Sequence, residues 1–377
     1  PLTDRPAEEQ ADWSWLLEQW ELDPDAYQVV EPVEVRSWDQ AIGDGQTQTA
    51  YYVKAKLVRR GVGDEVDVED LVKWVRRRPR PSRDPQDGPL SLVVCLPDTQ
   101  LGKSDGYGTQ GVLRAVKALE QQVIDHVRLL RNAGVEIGSL ALLGMGDIVE
   151  GCDGHYAMQT FTVDADRRTQ VRLAREMLVS LIDAWVPHFA RLQVACVPGN
   201  HGENRKNGKA YTTFGDNDDV AVFEQVRDIL THNDQGRYEN VGWLIPDDQL
   251  SISLDVAGTA LGLAHGHQAR GGKFPDTSLW EWWKGQQMGR RPVADCDVLV
   301  TGHFHTFTVR QDMGRWHLQC PTLDGGSRWF AESFGSESTA GTLTFVTGGG
   351  KVDHIRVLEG KGFPDANPVG TVEDVRV

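Results

Sequence analysis

The sequence predicts an α/β protein in which parallel strands carry polar residues at their carboxyl ends. Apolar runs at 90–97, 137–143 and 192–197 alternate with long amphipathic segments at 109–133 and 164–189. This alternation is typical of β-α-β-α-β units with parallel strands. The first run is continuously apolar, as expected of a central strand covered on both faces. A carboxylate, amide or histidine follows each run, where open α/β sheets place their ligands.

The composition bounds the class of protein. The chain has 377 residues, of which 40% are hydrophobic, enough for one large domain and a smaller one. No apolar run reaches the roughly 20 residues of a membrane span, and residues 1–10 lack the basic and apolar regions of a signal peptide. We therefore expect a cytoplasmic protein without membrane contact. Five scattered cysteines indicate reduced core residues rather than a disulfide framework.

The net charge of −16 argues against capture of nucleic acid by a basic surface alone. It does not exclude a metal-dependent nuclease, because cations bring positive charge to such a site.

Residues 1–88 predict a small α+β module that ends in a basic, proline-rich linker. Its predicted elements are a helix over 7–21, two strands over 28–37 and 49–60 that form a β-hairpin, and a helix over 67–78. The linker follows at 79–85. The basic run before it fits either contact with a nucleic-acid backbone or a solvated helix end, and both interpretations stay open. Residues 89–360 predict the catalytic domain, and 361–377 a mobile tail.

Two aspartates stand at successive predicted strand ends. Asp98, with Thr99 and Gln100, follows the first apolar run, and Asp147 follows the second run between glycines. One carboxylate at a strand end is more often a helix or turn cap. Two in succession indicate a cation site.

The third predicted strand leads into Pro198-Gly199-Asn200-His201. Pro-Gly ends the strand and turns the chain, which leaves an amide oxygen beside an imidazole. The amide oxygen suits a hard divalent cation, and the imidazole suits charge or protons on a bound phosphate. Gly-Asn-His alone is more often a simple turn, so its interpretation depends on the other motifs along the chain.

Two further apolar strands end in histidines. His265 and His267 follow the strand at 261–264, and His303 and His305 follow the strand at 298–301. Imidazole is the commonest neutral nitrogen ligand, and residues i and i+2 of an extended chain point to the same side. Five of the eleven histidines lie in just three strand ends that contain glycine. A structural role explains that concentration poorly.

This ordered set of five motifs resembles the signature of the calcineurin-like metallophosphoesterases and covers residues from about 91 to 357. The resemblance implies a four-layer α/β/β/α sandwich with two divalent metal ions at the strand ends. It assigns the first metal to Asp98, Gln100 and His305, the bridging position to Asp147, and the second metal to Asn200, His265 and His303. It makes His201 the catalytic histidine.

One position departs from the family pattern, because the first motif usually ends in histidine where this chain has Gln100. An amide oxygen is harder than an imidazole nitrogen, so we expect Mn²⁺, with Mg²⁺, Fe and Zn²⁺ as alternatives. The resemblance implies that a hydroxide shared by the two ions attacks phosphorus while His201 stabilises charge or protonates the leaving oxygen.

Four residues near the motifs are candidates for substrate binding: His155, Arg205, Lys206 and His267. The cationic loop at 203–209 fits a phosphate clamp or a solvated loop equally well. A tryptophan cluster at 280–283 favours core packing over base stacking.

The whole-chain arrangement also resembles metallophosphoesterases encoded by phages of actinobacteria, which are related to DNA nucleases of the SbcCD type. This resemblance makes a manganese-dependent exo- or endonuclease acting on DNA in a bacterial host cytoplasm the leading hypothesis. A nucleotide or cyclic-nucleotide phosphodiesterase or phosphatase is the first alternative, favoured by the acidic chain and by Gln100. A metal-fold binding protein with weak activity is the second. An ATPase partner subunit and a homo-oligomer also stay open.

Overall fold

The computed structural model describes residues 2–3, 13–19, 27–43, 46–59, 68–81, 86–269, 275–326, 332 and 340–359. Within these ranges the chain is a mixed α/β protein. It divides into two compact units, Pro1–Asp67 and Val68–Val377. The tail predicted at 361–377 lies outside the described residues.

The first unit contains an antiparallel sheet and a short helix. Its described elements are β1 (Leu2–Thr3), α1 (Ser14–Gln19), β2 (Tyr27–Gly43) and β3 (Gln46–Arg59). β3 lies between β1 and β2, and it pairs antiparallel with β2 along most of its length. The pairing agrees with the predicted hairpin. Its turn is predicted around residues 42–45, of which 42 and 43 belong to β2 and 44 and 45 lie outside the described residues. α1 covers the middle of the predicted helix at 7–21.

The second unit holds the elements that carry the predicted motifs. In chain order they are α2 (Val68–Arg77), β4 (Leu90–Leu96), α3 (Gly108–Asn132), β5 (Ile137–Gly144), α4 (Arg167–Trp185), β6 (Arg191–Cys196), β7 (Arg205–Lys206), β8 (Lys209–Ala210), α5 (Asp218–Thr231), β9 (Val241–Leu244), β10 (Ser251–Val256), β11 (Thr259–Ala264), α6 (Pro275–Met288), β12 (Val298–Thr301), β13 (Thr308–Asp312), β14 (Arg315–Gln319), β15 (Thr342–Gly348) and β16 (Lys351–Leu358).

The division between the units comes earlier than the boundary predicted at residue 88, because α2 packs within the second unit. Leu71 and Val75 of this helix are buried. The side chain of Asn233 donates to the carbonyl oxygens of Val75 and Arg78 at 2.7 and 2.9 Å. The run of basic residues at the end of α2 gave no information on where the apolar face of the helix packs.

A six-stranded mixed sheet, in the order β16-β15-β4-β5-β6-β9, forms one half of the second unit. β4, β5, β6 and β9 are parallel. β15 pairs antiparallel with β4, and β16 pairs antiparallel with β15. The parallel centre agrees with the predicted β-α-β-α-β run. Its carboxyl ends place Asp98, Asp147 and Asn200 along one edge.

A five-stranded sheet, in the order β10-β11-β12-β14-β13, forms the other half. β11, β12 and β14 are parallel, and the two outer strands are antiparallel to their neighbours. β11 and β12 are the short strands predicted to carry the histidines. His265 follows β11 directly, and His303 and His305 follow β12.

The two sheets share one apolar core. Buried side chains from both form a single cluster that includes Val93, Leu143 and Val197 of the first sheet and Leu263 and Val300 of the second. Burial of these side chains in one cluster stabilises the packing of the two sheets against each other.

The tryptophans of α6 pack in a separate core cluster. Trp280 and Trp283 are buried against Val293, Cys296 and Leu299. The core interpretation of these tryptophans therefore holds over base stacking. All five cysteines are free; four of them are core residues, as the sequence predicted, and Cys152 is half-buried. Among the described helices, none combines the length and apolarity needed to cross a membrane.

A buried charge network joins the segment after α2 to the end of α4. The carboxylate of Asp183 accepts from Arg78 at 2.5 Å, from Arg237 at 2.6 Å and from the Tyr238 hydroxyl at 2.7 Å. Burial raises the pKa of Asp183, but the hydrogen bonds from Arg78 and Tyr238 lower it by more than burial raises it. The pKa of this carboxyl group therefore lies below its usual range. The carboxylate is thus held ionised between its partners.

We expect Asp183→Asn to destabilise the second unit by about 3 kcal/mol, because it leaves the buried Arg237 without an opposite charge. Urea denaturation followed by circular dichroism measures the change. Asp125→Asn is the matched control, since Asp125 pairs with Arg128 at the surface and should change stability by less than about 0.5 kcal/mol. Equal unfolding midpoints for the two variants would contradict the role given to Asp183.

Candidate metal centre

The loops that follow the strands hold their polar residues in an unusual backbone conformation. Five of the predicted ligands have positive φ angles between 38° and 71°, namely Asp98, Gln100, Asp147, His303 and His305. Residues other than glycine seldom adopt this left-handed region, and where they do the strain is typical of functional sites. The surrounding packing must therefore fix these turns.

Two glycines allow the turns to approach each other. A Cβ atom at Gly199 would come within 2.1 Å of Asp147 Oδ1, and one at Gly302 within 2.7 Å of Asp98 Oδ2. A side chain at either position would enter the space next to a carboxylate. Steric exclusion of any side chain thus explains why glycine occupies these two positions.

Asp147, His265 and His303 form a cluster suited to a metal ion. One ligand atom from each lies within 4.8 Å of the others. His265 Nε2 is 2.9 Å from Asp147 Oδ2, while His265 Nδ1 faces the Met145 carbonyl oxygen at 2.7 Å. This second contact fixes the ring and directs Nε2 towards the cluster, as in many metal sites.

The pKa values of the two histidines move in opposite directions. Burial lowers the pKa of His265, but the Asp147 carboxylate raises it more, to about 9. Burial and the charge of His265 lower the pKa of His303 to about 2. His303 is thus a neutral imidazole that can donate an electron pair to a metal ion. A cation that bound between His265 and Asp147 would replace the proton that His265 shares with the Asp147 carboxylate.

Asp98 and His305 form a second group beside the first. His305 Nε2 is 3.2 Å from Asp98 Oδ1. The backbone N–H of His303 lies 3.2 and 3.1 Å from the two oxygens of the same carboxylate. His303 therefore connects the groups, since its ring belongs to the Asp147 cluster and its backbone contacts Asp98.

Gln100 follows Asp98 by two residues, and its side chain contacts a lysine. Lys103 Nζ donates to Gln100 Oε1 at 3.0 Å and pairs with the buried carboxylate of Asp324. Gln100 Nε2 lies 3.4 Å from His201 Nε2. The amide oxygen predicted to hold the first metal thus already contacts an ammonium group, and a cation at Asp98 and His305 would compete for it.

Asn200 supplies the clearest test of whether these residues fit a metal. Its Oδ1 atom is buried and has no hydrogen-bond partner among the described residues. A buried amide oxygen without a partner is unfavourable unless a ligand satisfies it. Asn200 stands between Gly199, which closely approaches Asp147, and His201, whose backbone N–H donates to Asp147. A partnerless amide oxygen on this turn, one carboxylate and two imidazoles are donors of the kind that divalent transition metals bind.

His201 is held by the loop that carries Asp147. Its backbone N–H donates to Asp147 Oδ1 at 2.7 Å. Its Nδ1 lies 2.9 Å from the Glu150 carbonyl oxygen and 3.1 Å from Glu150 Oε2. Nε2 therefore faces the site, 4.0 Å from Asp147 Oδ2. Burial lowers the pKa of His201, but the carboxylates of Asp147 and Glu150 raise it more, to about 10.

His155 stacks on His201. The ring centroids are 4.4 Å apart and the planes differ by 3°. Burial and the charge of His201 lower the pKa of His155 to about 3. A neutral ring therefore supports one face of the predicted catalytic histidine.

The other three substrate-binding candidates differ in their surroundings, and of these only His267 has a ring contact with a predicted metal ligand. The His267 ring centroid is 5.4 Å from that of His265, and His267 Nε2 is 3.8 Å from Glu203 Oε1. Arg205 donates to the carboxylate of Glu203 at 2.7 Å, so part of its guanidinium is engaged. Lys206 is exposed on the short β7–β8 hairpin.

Asp219 holds the two central loops together. Its fully buried carboxylate accepts from the backbone N–H groups of Asp147 at 2.8 Å, Ile148 at 2.9 Å, Val149 at 3.3 Å and Gly199 at 3.0 Å. Burial and the Asp147 carboxylate raise the pKa of Asp219 to about 7, against the lowering effect of these donors. One side chain thus sets the distance between the Asp147 turn and the Asn200 turn.

Sequence reasoning missed four residues of this centre: Glu150, Asp219, Lys103 and Asp324. Glu150 lies three residues after Asp147 on the same predicted turn, and this spacing was an available signal. Asp219 is the second residue of α5 and looks like an ordinary N-terminal helix carboxylate. Lys103 and Asp324 are 221 residues apart, and no local pattern connects them.

No protein-family model and no curated protein matches the sequence. Similar solved structures are Vps29 and phosphoesterases. A zinc complex of Vps29 from Entamoeba histolytica is 14% identical with a TM-score of 0.30, over 67% of this chain and 84% of that chain. An archaeal phosphodiesterase is 11% identical with a TM-score of 0.31, over 71% of this chain and 99% of that one.

A predicted phosphoesterase from Streptococcus pneumoniae TIGR4 is 10% identical with a TM-score of 0.24, over 46% of this chain and 76% of that chain. At such low sequence identities and TM-scores, the similarity supports no inference about activity. An inference about activity has to rest on the geometry of the centre.

We expect Asp219→Asn to weaken binding of Mn²⁺ at least tenfold and to destabilise the second unit by about 3 kcal/mol. The reason is that the amide nitrogen would face two backbone donors in either orientation. Titration calorimetry and urea denaturation measure the two effects. Asp218→Asn is the matched control on the same helix turn, because Asp218 pairs with the half-exposed Arg167. Wild-type metal affinity in the Asp219 variant would refute the positioning role.

Lys103→Met is expected to raise the affinity for the more weakly bound Mn²⁺ ion about tenfold, or about 1.4 kcal/mol. The change removes a positive charge from Gln100 and leaves the negative charge of Asp324 unbalanced beside the centre. Titration calorimetry measures it, and Lys103→Arg, which keeps the charge, should bind as the wild type does. An unchanged or lower affinity in a Lys103→Met protein with wild-type circular dichroism would count against this competition.

Proposed function

We propose that this chain is a phosphodiester hydrolase that uses two divalent metal ions, with manganese as the natural ion and DNA as the substrate. The observation that carries the proposal is the convergence of Asp147, His265 and His303 beside Asp98 and His305, from strand ends up to about 200 residues apart. The buried Oδ1 atom of Asn200, which has no hydrogen-bond partner among the described residues, supports the proposal, because Asn200 stands between Gly199 and His201, which both approach Asp147.

The proposal includes a four-layer α/β/β/α sandwich. Two features support this arrangement: the two sheets share one core, and α6 packs its tryptophans against Leu299 of β12. A relation to SbcCD-type nucleases, a cytoplasmic location, an ATPase partner and a homo-oligomer remain predictions from the sequence.

In the proposed enzyme Asn200, His265 and His303 would hold one ion, Asp98, Gln100 and His305 would hold the other, and Asp147 would serve both. Divalent ions at such a centre neutralise phosphate charge and lower the pKa of water, which makes a nucleophile available at neutral pH. The protein contributes rigid positions for these donors, through Asp219 and the strained turns.

His201 is the proposed group that assists departure of the leaving oxygen. Its Nδ1 is held by Glu150, so Nε2 is directed to the side of the centre where Asp147 lies. Stacking on His155 prevents rotation of the ring. An imidazole fixed in this way can stabilise negative charge on a phosphate oxygen or donate a proton to the leaving group.

DNA is favoured as substrate because basic side chains lie on the hairpin next to His201, within a chain of net charge −16. The overall negative charge also supports the alternative of a nucleotide or cyclic-nucleotide phosphodiesterase, whose small substrate would not need a basic surface. Linear, circular and single-stranded DNA tested beside cyclic nucleotides and bis(p-nitrophenyl) phosphate separates the two.

We expect His201→Asn to retain both metal ions and to lower kcat at least a hundredfold, because only the proton or charge contribution is removed. Metal content from elemental analysis, measured together with turnover of DNA and of the small diester, provides the readout. Asp147→Asn is the comparison variant and should lose metal as well as activity. Wild-type turnover by His201→Asn at matched metal content would exclude the assigned role, and failure of the metal-loaded wild type on every diester would support a binding protein.

A further inference from the structure

Two segments next to His201 expose large apolar side chains to solvent. We name them together the apolar rim, which consists of Tyr156, Met158, Phe161, Tyr211 and Phe214. Phe161 is 79% exposed and Tyr211 is 64% exposed. Water-soluble surfaces seldom concentrate such side chains without a binding function.

The first segment of the rim is fixed to the catalytic loop. The Tyr156 hydroxyl donates to Glu150 Oε1 at 2.8 Å, and Glu150 Oε2 in turn holds His201. The fully buried Gln159 donates to the Glu150 carbonyl oxygen at 2.9 Å. Because Met158 and Phe161 flank Gln159 closely in sequence, their exposed side chains are anchored beside the centre.

The second segment lies against the first. A Cβ atom at Gly154 would be 2.8 Å from Arg205 Cβ, so the loop before Tyr156 touches the β7–β8 hairpin. The hairpin leads directly to Tyr211, whose backbone N–H donates to the Asn204 carbonyl oxygen at 3.2 Å. The loop that leads to the first segment therefore touches the hairpin that leads to the second.

The hairpin adds positive charge at this place. Lys206 and Lys209 are exposed on it, and Arg205 lies at its base. Aromatic faces beside exposed cations are the combination by which proteins hold single-stranded nucleic acid, since bases stack on rings and phosphates follow the cations. A protein partner would use the apolar side chains but would not by itself require the cations.

We propose that the apolar rim and the hairpin cations bind a single-stranded segment of polynucleotide and lead it to the metal centre. The bases stack on Phe161 and Tyr211, and the phosphate backbone passes Lys206 and Lys209. Paired bases inside a duplex cannot offer their faces in this way, so the surface selects single strands and frayed ends. The inference rests on the proposed function, because it names the form of DNA that reaches the same centre.

The test compares Phe161→Ala/Tyr211→Ala with the wild type in binding a fluorescein-labelled 20-nucleotide oligothymidylate and a blunt 20-base-pair duplex. Fluorescence anisotropy in EDTA measures binding without hydrolysis. We expect the wild type to prefer the single strand, and the double variant to bind it at least tenfold more weakly. Met288→Ala is the matched control, because Met288 is an exposed apolar side chain at the end of α6 that belongs to neither segment of the rim, and it should bind as the wild type does.

Turnover of bis(p-nitrophenyl) phosphate with Mn²⁺ separates this inference from the proposed function. The double variant should keep wild-type turnover of the small diester, which needs no stacking surface. Equal oligonucleotide binding by variant and wild type, or a wild-type preference for the duplex, overturns the inference. So does a dimer that dissociates in the double variant during analytical ultracentrifugation, since the rim would then join two copies. Absence of all diester turnover with rim-dependent binding intact would overturn the proposed function and leave the binding surface in place.

Discussion

One buried carboxylate determines whether the candidate metal centre can exist. Asp219 accepts four backbone hydrogen bonds, three from the turn that starts at Asp147 and one from Gly199. A carboxylate without water must find several donors, and here the donors are the strained turns that present Asp147 and Asn200. The cost of burying this charge is thus offset by fixing two loops from separate strands. The same constraint places the His201 backbone N–H on Asp147.

The second sheet completes the centre through its packing rather than through hydrogen bonds between strands. Because both sheets share one apolar core, the ends of β11 and β12 come to the edge where β4, β5 and β6 end. His265 then contacts Asp147, and the turn of His303 contacts Asp98. Apolar burial therefore supplies the free energy that brings polar and charged groups together.

Charge balance explains several of the remaining contacts around the centre. Buried carboxylates without metal would repel one another, and three of them are paired with basic side chains: Asp147 with His265, Asp98 with His305, and Asp324 with Lys103. Lys103 is notable because it contacts Gln100, the position at which this chain differs from the family pattern that its motifs resemble. A permanent cation there makes the two halves of the centre electrostatically unequal. The surface beyond is also uneven, with cations and exposed aromatic rings on the side of His201.

The sequence by itself determined the parallel β-α-β-α-β run, the strands that end in histidines, and the residue types at each strand end, because hydrophobic periodicity and turn residues act locally. It also indicated that Trp280 and Trp283 are core residues. It did not indicate that α2 packs with the second unit, that β15 pairs with β4, or that Asp219, Lys103 and Asp324 support the centre. Those features depend on which surfaces meet after the sheets pack, and contacts between residues far apart in the chain produce no periodic pattern in the sequence. Only the tertiary structure decided them, because the partner of a buried charge or of an apolar helix face is the group that lies next to it once the core has formed.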